Sequence, residues 1–372
     1  MPVFVEFPPF RPHPLVPGGH LQTILGCYLP SASIPPGTLH HVPLPDGDHI
    51  ALHDDGDGLA GTKPGPGAAP VRIDPPQDAL TEPRPAGQIV ILIHGLGGCH
   101  QSTYMQRCSA RLRERGVRVF RMDLRGCGAG IKLARHPIHA GRSEDAGAVL
   151  GYVSRQCPGS AIHLVGFSMG ANIVLKLAGE LGSQAPPHLA SVMAIGPPID
   201  LIECSKNMQR GWNRLYDRRF ARNLVRFIQQ RSQVRPDALS RPLVPQPRSL
   251  LDFDAIFTAP LSGFADTDDY YTQASSGRLL PRITVPTLIV TAASDPIIPV
   301  GPFERASYSP STQLIITPCG GHLGFVGARG VDPDHRWLDW RIVEWVASHA
   351  VRPAADPRSR PTAHSRDATP AS

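Results

Sequence analysis

The hydrophobic pattern is clearest in residues 87–198, where short apolar runs alternate with segments of helical spacing. Ile89–Ile93 is a continuous apolar run of the kind found in strands buried on both faces, and it ends in His94-Gly95-Leu96-Gly97-Gly98. Tyr104, Met105, Cys108 and Leu112 then recur at helical intervals until Gly116, a stop signal. A strand over Val117–Leu124 closes at Arg125-Gly126. Ser143-Glu144-Asp145 opens a helix with acids in its first turn, leading into Ala148, Val149, Tyr152 and Val153. A strand over Ala161–Gly166, a helix over Met169–Leu181 and a strand over Ser191–Ile195 follow. Later come strands over Thr287–Thr291 and Gln313–Thr317, then an amphipathic helix around Trp337–Ala350. Strands alternating with helices of this length predict an α/β fold with a mostly parallel sheet covered on both faces.

Elsewhere the pattern lapses. Residues 199–275 are helical and Arg-rich at first, then proline-interrupted, with no buried strand, which predicts a helical cap inserted between two halves of the core, 87–198 and 276–350. Residues 1–86 read as an N-terminal extension whose 54–86 stretch is a Pro/Gly-rich loop. Residues 351–372 read as a disordered tail. The chain has 372 residues with 41 prolines and 36 glycines, and 18 of the prolines precede residue 87. The excess therefore sits mainly in the decoration and leaves the alternating region ordinary. With 41% hydrophobic residues the chain can bury a core without staples.

The charge excess of +6 is spread along the chain, so no nucleic-acid partner is expected. Seven cysteines without a C-x-x-C read as reduced thiols. No apolar run reaches membrane-spanning length, and Met1 to Arg11 lacks the regions of a signal peptide. A soluble cytoplasmic protein is expected. Lys206, Arg210, Arg214, Arg218, Arg222 and Arg226 recur every four residues. On one helix they would form a basic stripe, chiefly a solvated face and secondarily a peripheral contact for anionic lipid headgroups.

The strongest chemical signal is Gly166-Phe167-Ser168-Met169-Gly170, a G-x-S-x-G bracketed by a strand and a helix. The small flanking residues permit a sharp, strained turn that exposes Ser168 Oγ at the sheet's carboxyl edge. A serine needs a base, and the base an orienting acid. Asp295 and His322 follow in that chain order, each after a strand, where α/β sheets place their sites. The backbone N–H groups of Met169 and Leu96 are the predicted oxyanion donors. No nucleotide-binding glycine motif and no metal-ligand spacing occurs, so no cofactor or metal is expected. Cys99 and Cys319, near the predicted loop and base, read as small buried thiols. The cap aromatics Trp212, Phe220, Phe257 and Phe264 are expected to form an apolar acyl pocket.

Several segments together resemble the α/β-hydrolases, and within them the YheT-type esterase group that includes the mammalian abhydrolase-domain proteins one to three. They are Gly19-His20-Leu21-Gln22-Thr23, His94–Gly98, FRMDLRGCG at Phe120–Gly128 and GFSMGANIVLK at Gly166–Lys176. GPPIDL at Gly196–Leu201, YDRRF at Tyr216–Phe220, FADTDDYY at Phe264–Tyr271 and GGHLGFV at Gly320–Val326 complete the set. The resemblance implies a Ser168/Asp295/His322 triad and hydrolysis of small-molecule or lipid carboxylic esters with short- to medium-chain or lipid-derived acyl groups. An acyltransferase with the same acyl-enzyme, or a non-catalytic binding protein on this fold, remain the rival readings.

Overall fold

The computed structural model describes residues 4–28, 34–57, 87–242 and 244–350. The expected Pro/Gly-rich loop beyond residue 57 and the expected tail therefore lie outside the described residues. Eight strands among those described form one sheet: β1 (Thr38–Pro43), β2 (His49–Asp54), β3 (Gln88–Ile93), β4 (Arg118–Met122), β5 (Ala161–Phe167), β6 (Leu189–Ile195), β7 (Thr287–Ala292) and β8 (Thr312–Thr317). Their spatial order is β1-β2-β4-β3-β5-β6-β7-β8. β1 and β2 pair antiparallel to each other, as do β2 and β4, and all other neighbours run parallel.

The helices are α1 (Gly19–Tyr28), α2 (Thr103–Arg113), α3 (Ser143–Gln156), α4 (Met169–Leu181), α5 (Leu201–Met208), α6 (Asn213–Val234), α7 (Leu250–Phe253), α8 (Ala259–Leu261), α9 (Thr267–Ala274), α10 (Gly301–Arg305) and α11 (Trp337–Ser348). A π-helical turn at Asp254–Thr258 joins α7 to α8. Because strand side chains alternate faces, β3 feeds two cores at once. Ile89, Ile91 and Ile93 pack with Val149 and Val153 of α3 and Ile173 and Leu177 of α4. Val90 and Leu92 pack on the other face with Met105 and Leu112 of α2 and Ile342 and Trp345 of α11. That two-faced burial is why β3 reads as an unbroken apolar run.

Two features depart from the sequence expectations. β1 and β2 extend the sheet where the sequence reads only as a polar, histidine-rich stretch. Ion pairs back the junction of β2 with β4 beside the buried Ile50 and Leu52: Arg121 forks onto Asp55 at 2.6 and 2.7 Å, and Arg118 onto Asp54 at 2.5 and 3.1 Å. The apolar alternation there is short, Ile50 and Leu52 on β2 and Val42 on β1, among histidines and acids. The basic stripe is also broken. Lys206 lies on α5, Arg210 in the break after it, and only Arg214, Arg218, Arg222 and Arg226 share α6, all exposed. No helix of the described residues is long and apolar enough to cross a membrane.

The segment between β6 and β7 holds helices α5 to α9 and no strand among the described residues. Leu224, Val225 and Ile228 of α6 close on Phe253 and Phe257 in a small core of their own. This layer roofs the carboxyl ends of the strands.

The junction of β5 with α4 is tightly packed. A Cβ on Gly170 would sit 2.5 Å from the carbonyl oxygens of both Ile93 and His94, backbone that cannot yield. Gly170→Ala is expected to lower unfolding stability by about 2–4 kcal/mol in denaturant titrations, as overpacking against a rigid sheet does. A loss below measurement error would contradict this packing.

Candidate active site

Ser168 sits between β5 and α4 with φ 53° and ψ −118°, and is the one non-glycine residue with positive φ among those described. Such a backbone costs about 1–3 kcal/mol and persists only where its surroundings over-determine it. Here Ser168 N–H donates to Ile195 O at 2.8 Å, and Asn172 N–H donates to Ser168 O at 3.1 Å. Gly166 lies so close to α4 that a Cβ would be 2.4 Å from Gly170 O. Gly95, on the loop after β3, approaches within 2.9 Å of Ser168 Cβ by the same measure. The glycines flanking the serine are thus required by contact with backbone.

The three residues expected to act together do meet. Ser168 Oγ lies 2.7 Å from His322 Nε2, and His322 Nδ1 lies 3.0 Å from Asp295 Oδ2. The free Asp295 Oδ1 accepts the N–H groups of Ile297 and Ile298 at 2.8 and 3.1 Å, which fixes the carboxylate's plane. With a carboxylate on Nδ1, the ring carries its proton there and presents Nε2 as the acceptor for the serine hydroxyl.

What holds His322 comes from the far end of the chain. Its backbone N–H donates to Thr23 Oγ1 at 2.9 Å. Gln22, fully buried beside it, donates to Val16 O at 2.8 Å and Val326 O at 3.1 Å while accepting Val326 N–H at 2.7 Å. Gly321 and Gly324 admit this helix, since added Cβ atoms would meet Thr23 N at 2.3 Å and Gln22 O at 1.8 Å. Neither Gln22 nor Thr23 was read from the sequence as part of the site. The signal available was their place in the shared Gly19–Thr23 segment.

The loop carrying Leu96 is braced just as closely. His94 is fully buried, and burial pushes its pKa down and keeps it neutral. It donates from Nδ1 to Gly95 O at 2.8 Å and accepts Leu124 N–H on Nε2 at 2.9 Å. Gly95 N–H donates to the Tyr104 hydroxyl at 3.1 Å, and the turn closes through Gly98 N–H on Gly95 O at 3.0 Å with Gly97 at φ 71°. Asp123 anchors the loop's far end. It accepts His100 N–H at 2.6 Å, His100 Nδ1 at 2.8 Å and His53 Nε2 at 3.2 Å. Burial opposes its charge, but the bonds from His100 and His53 outweigh burial and hold its carboxyl well below the usual range. The N–H groups of Leu96 and Met169 have no acceptor among the described residues, and both residues line the same cavity as Ser168.

That cavity, about 540 Å³, lies between the strand ends and the cap. Its wall includes Phe220, Phe253 and Phe257. Trp212 and Phe264, expected in the pocket, are not part of it. Trp212 is 77% exposed at the start of α6, and Phe264 packs on His139 and Tyr270, ring centres 5.3 and 5.1 Å away. Cys99 and Cys319 are half-buried rather than buried, and desolvation pushes the Cys99 thiol up, so it is no thiolate nucleophile. His53, His100 and Asp123, and likewise Asp46, Asp48 and His136, are close enough to share an ion. Asp123 and Asp48 are already engaged by protein donors, so both groups are accounted for as hydrogen-bonded clusters. One acid on the cavity wall is different. Burial pushes the Asp254 carboxyl up to about 6, against the bonds from Thr258 and the Tyr271 hydroxyl.

Residues 88–328 match the family described as alpha/beta hydrolase fold. YheT of Escherichia coli, provisionally named an esterase, is 30% identical over 281 residues, 74% of this chain and 79% of YheT. Phospholipase ABHD3 of Mus musculus is 29% identical over 252 residues, 67% of this chain. The chain spans 79% of YheT but only 60% of ABHD3. Among solved structures, the esterase Pf2001 of Pyrococcus furiosus superposes with a TM-score of 0.50 at 15% identity, covering 84% of this chain and 89% of that one. At that identity the likeness concerns the fold alone.

Asp254 gives a pH signature. Its folded pKa of about 6 lies above the ordinary carboxyl value near 4, so between those values the folded chain keeps a proton that the unfolded chain has lost. The associated stability is complete below about pH 4 and is lost as pH rises through about 6. Asp254→Asn, neutral throughout and still able to accept from Tyr271, is expected to exceed the wild type in stability by about 1–2 kcal/mol at pH 8 and to lose that advantage at pH 4. Parallel stability curves for the two proteins would contradict the assignment.

Proposed function

This chain belongs to the α/β-hydrolase fold family, and from that premise we propose that it is a serine hydrolase of carboxylic esters working through an acyl-enzyme on Ser168. The observation that carries the reading is the Ser168 Oγ to His322 Nε2 contact of 2.7 Å at the wall of an apolar cavity. The esterase and phospholipase names of its relatives support the same reaction class.

In this reading His322 Nε2 takes the hydroxyl proton as Ser168 Oγ attacks the ester carbonyl. Asp295 keeps the imidazole in the Nδ1–H tautomer and stabilises the imidazolium that forms. The carbonyl oxygen, becoming an oxyanion, accepts from the Leu96 and Met169 N–H groups, which have no other acceptor among the described residues. The start of α4 adds the positive end of a helix dipole at the same point. His322 then returns the proton to the leaving alcohol, and water repeats the sequence in reverse to free the acid. Because Ser168 is held in its strained turn before substrate arrives, no reorganisation of the nucleophile is needed. The phenylalanines of the cavity suit a short- to medium-chain or lipid-derived acyl group.

Kinetics on p-nitrophenyl esters of graded chain length test this reading. Ser168→Ala is expected to lower kcat by about 10³-fold or more, and Asp295→Asn by roughly 10³- to 10⁴-fold with a smaller change in KM. Substantial hydrolysis by Ser168→Ala would overturn the assignment.

A further inference from the structure

Three arginines line the cavity, Arg125, Arg219 and Arg231; Arg219 is exposed on α6, and the two buried ones differ in how their charge is met. Arg125 is enclosed by acids. It forks onto Asp145 at 2.6 and 3.0 Å and reaches Asp46 at 2.5 Å and Asp48 at 2.7 Å. Arg231, from α6, is equally buried at 2% exposure. It donates from Nη2 to two neutral acceptors, Ala134 O at 2.9 Å and His136 O at 3.0 Å. No carboxylate of the described residues lies within ion-pair distance of it, and its Nε has no partner. Asp48 is the acid that acts on it most strongly, but Asp48 already accepts from Arg125, His136 and the Arg135 N–H.

A guanidinium cannot shed its charge, and a buried, unpaired cation is costly. Burial lowers its pKa, and the attraction of Asp48 does not make up for it. Anchoring α6 to the 134–136 turn would need only a neutral donor. The charge is in excess of that task. Its place in the sheet is also defined, because a Cβ on Gly126, in the turn after β4, would lie 3.3 Å from Arg231 Nε. Ser168 follows β5, with β3 between the two, so the turn at Gly126 is two strand spacings away, roughly 10 Å.

We propose that Arg231 is an anion subsite at one end of the cavity, selecting esters that carry a carboxylate or phosphate at the far end of the chain whose ester carbonyl lies at Ser168. The inference rests on Ser168 being the reacting centre. A terminal anion would accept a charge-assisted bond from the part of the guanidinium that the two carbonyls leave unused. A methyl-ended chain would fill the same space and leave the cation unmet. The apolar stretch between the two ends is set by the cavity's phenylalanines, so selectivity should peak at one chain length.

Calorimetric binding to the inert Ser168→Ala protein tests this apart from turnover. The probes are methyl esters of three length-matched series: diacid monoesters with a free carboxylate, ω-phosphono acids and simple fatty acids. At the best length an anion-ended ester is expected to bind about tenfold or more tightly than its methyl-ended match. Adding Arg231→Met should bring that ratio to near one, while Arg231→Lys should retain part of it. The two anionic series separate carboxylate from phosphate. Equal affinities at every length, or a preference that survives Arg231→Met, would overturn the proposal. So would an equal loss for anionic and methyl-ended esters in Arg231→Met, since that marks an anchor for α6 and nothing more. If Arg231→Met does not fold, the length series in the single variant and the Arg231→Lys comparison decide. Hydrolysis of the same esters by the wild type reports separately on Ser168, so the two readings can fail independently.

Discussion

The strained backbone of Ser168 is the condition on which the rest of the site depends. A φ of 53° on a residue with a Cβ is unfavourable, and the fold supplies what holds it. Gly166 and Gly170 let α4 drop against the sheet, and Gly95 lets the next loop close on the serine itself. Once that turn is fixed, its Oγ has one place to be, and the other residues must come to it. Asp295 and His322 do so from the ends of β7 and β8, and Leu96 from the end of β3. The sheet's parallel order is what puts these loops on one edge.

Holding the partners in place is work for residues with no chemistry of their own. Thr23 and Gln22, about three hundred positions before His322 in the chain, fix its backbone through α1. Asp123 and His94 do the same for the Leu96 loop from beneath. These supports are polar and buried, so losing one partner leaves the other unsatisfied, a larger cost than the bond itself is worth. Precision at the serine is therefore bought with buried polar groups several residues away.

The division between what was legible in the sequence and what was not follows the same line. Strands β3 to β8 announce themselves by short apolar stretches between turn signals, clearest in β3, which is buried on both faces. The serine and its partners are marked by local glycine chemistry and by position after those strands. β1 and β2 escape because their apolar period is only Val42, Ile50 and Leu52, set among histidines and acids, and part of what joins β2 to β4 is the ion pairs of Asp54 and Asp55 with Arg118 and Arg121. The basic run misleads because a four-residue spacing says nothing of the helix break at 209–212. Trp212, at that break, faces solvent for the same reason. Thr23, Asp123 and Arg231 act through contacts far apart in sequence, and a single chain read end to end does not reveal them. The segment shared with the family flags Thr23 without saying what it touches.

The proposed anion subsite lies on the same cavity wall as Arg125 and Asp254. Arg125 and Arg231 both line that cavity, and Arg231 has no carboxylate of the described residues within ion-pair distance. The claim beneath all of this is that Ser168 is a nucleophile activated in place. Its most direct measurement is labelling of the full chain with a fluorophosphonate, followed by peptide mapping. The expected result is one adduct, on Ser168, absent from Ser168→Ala and strongly slowed in His322→Ala. An unlabelled wild-type chain, or an adduct on another residue, would contradict the account.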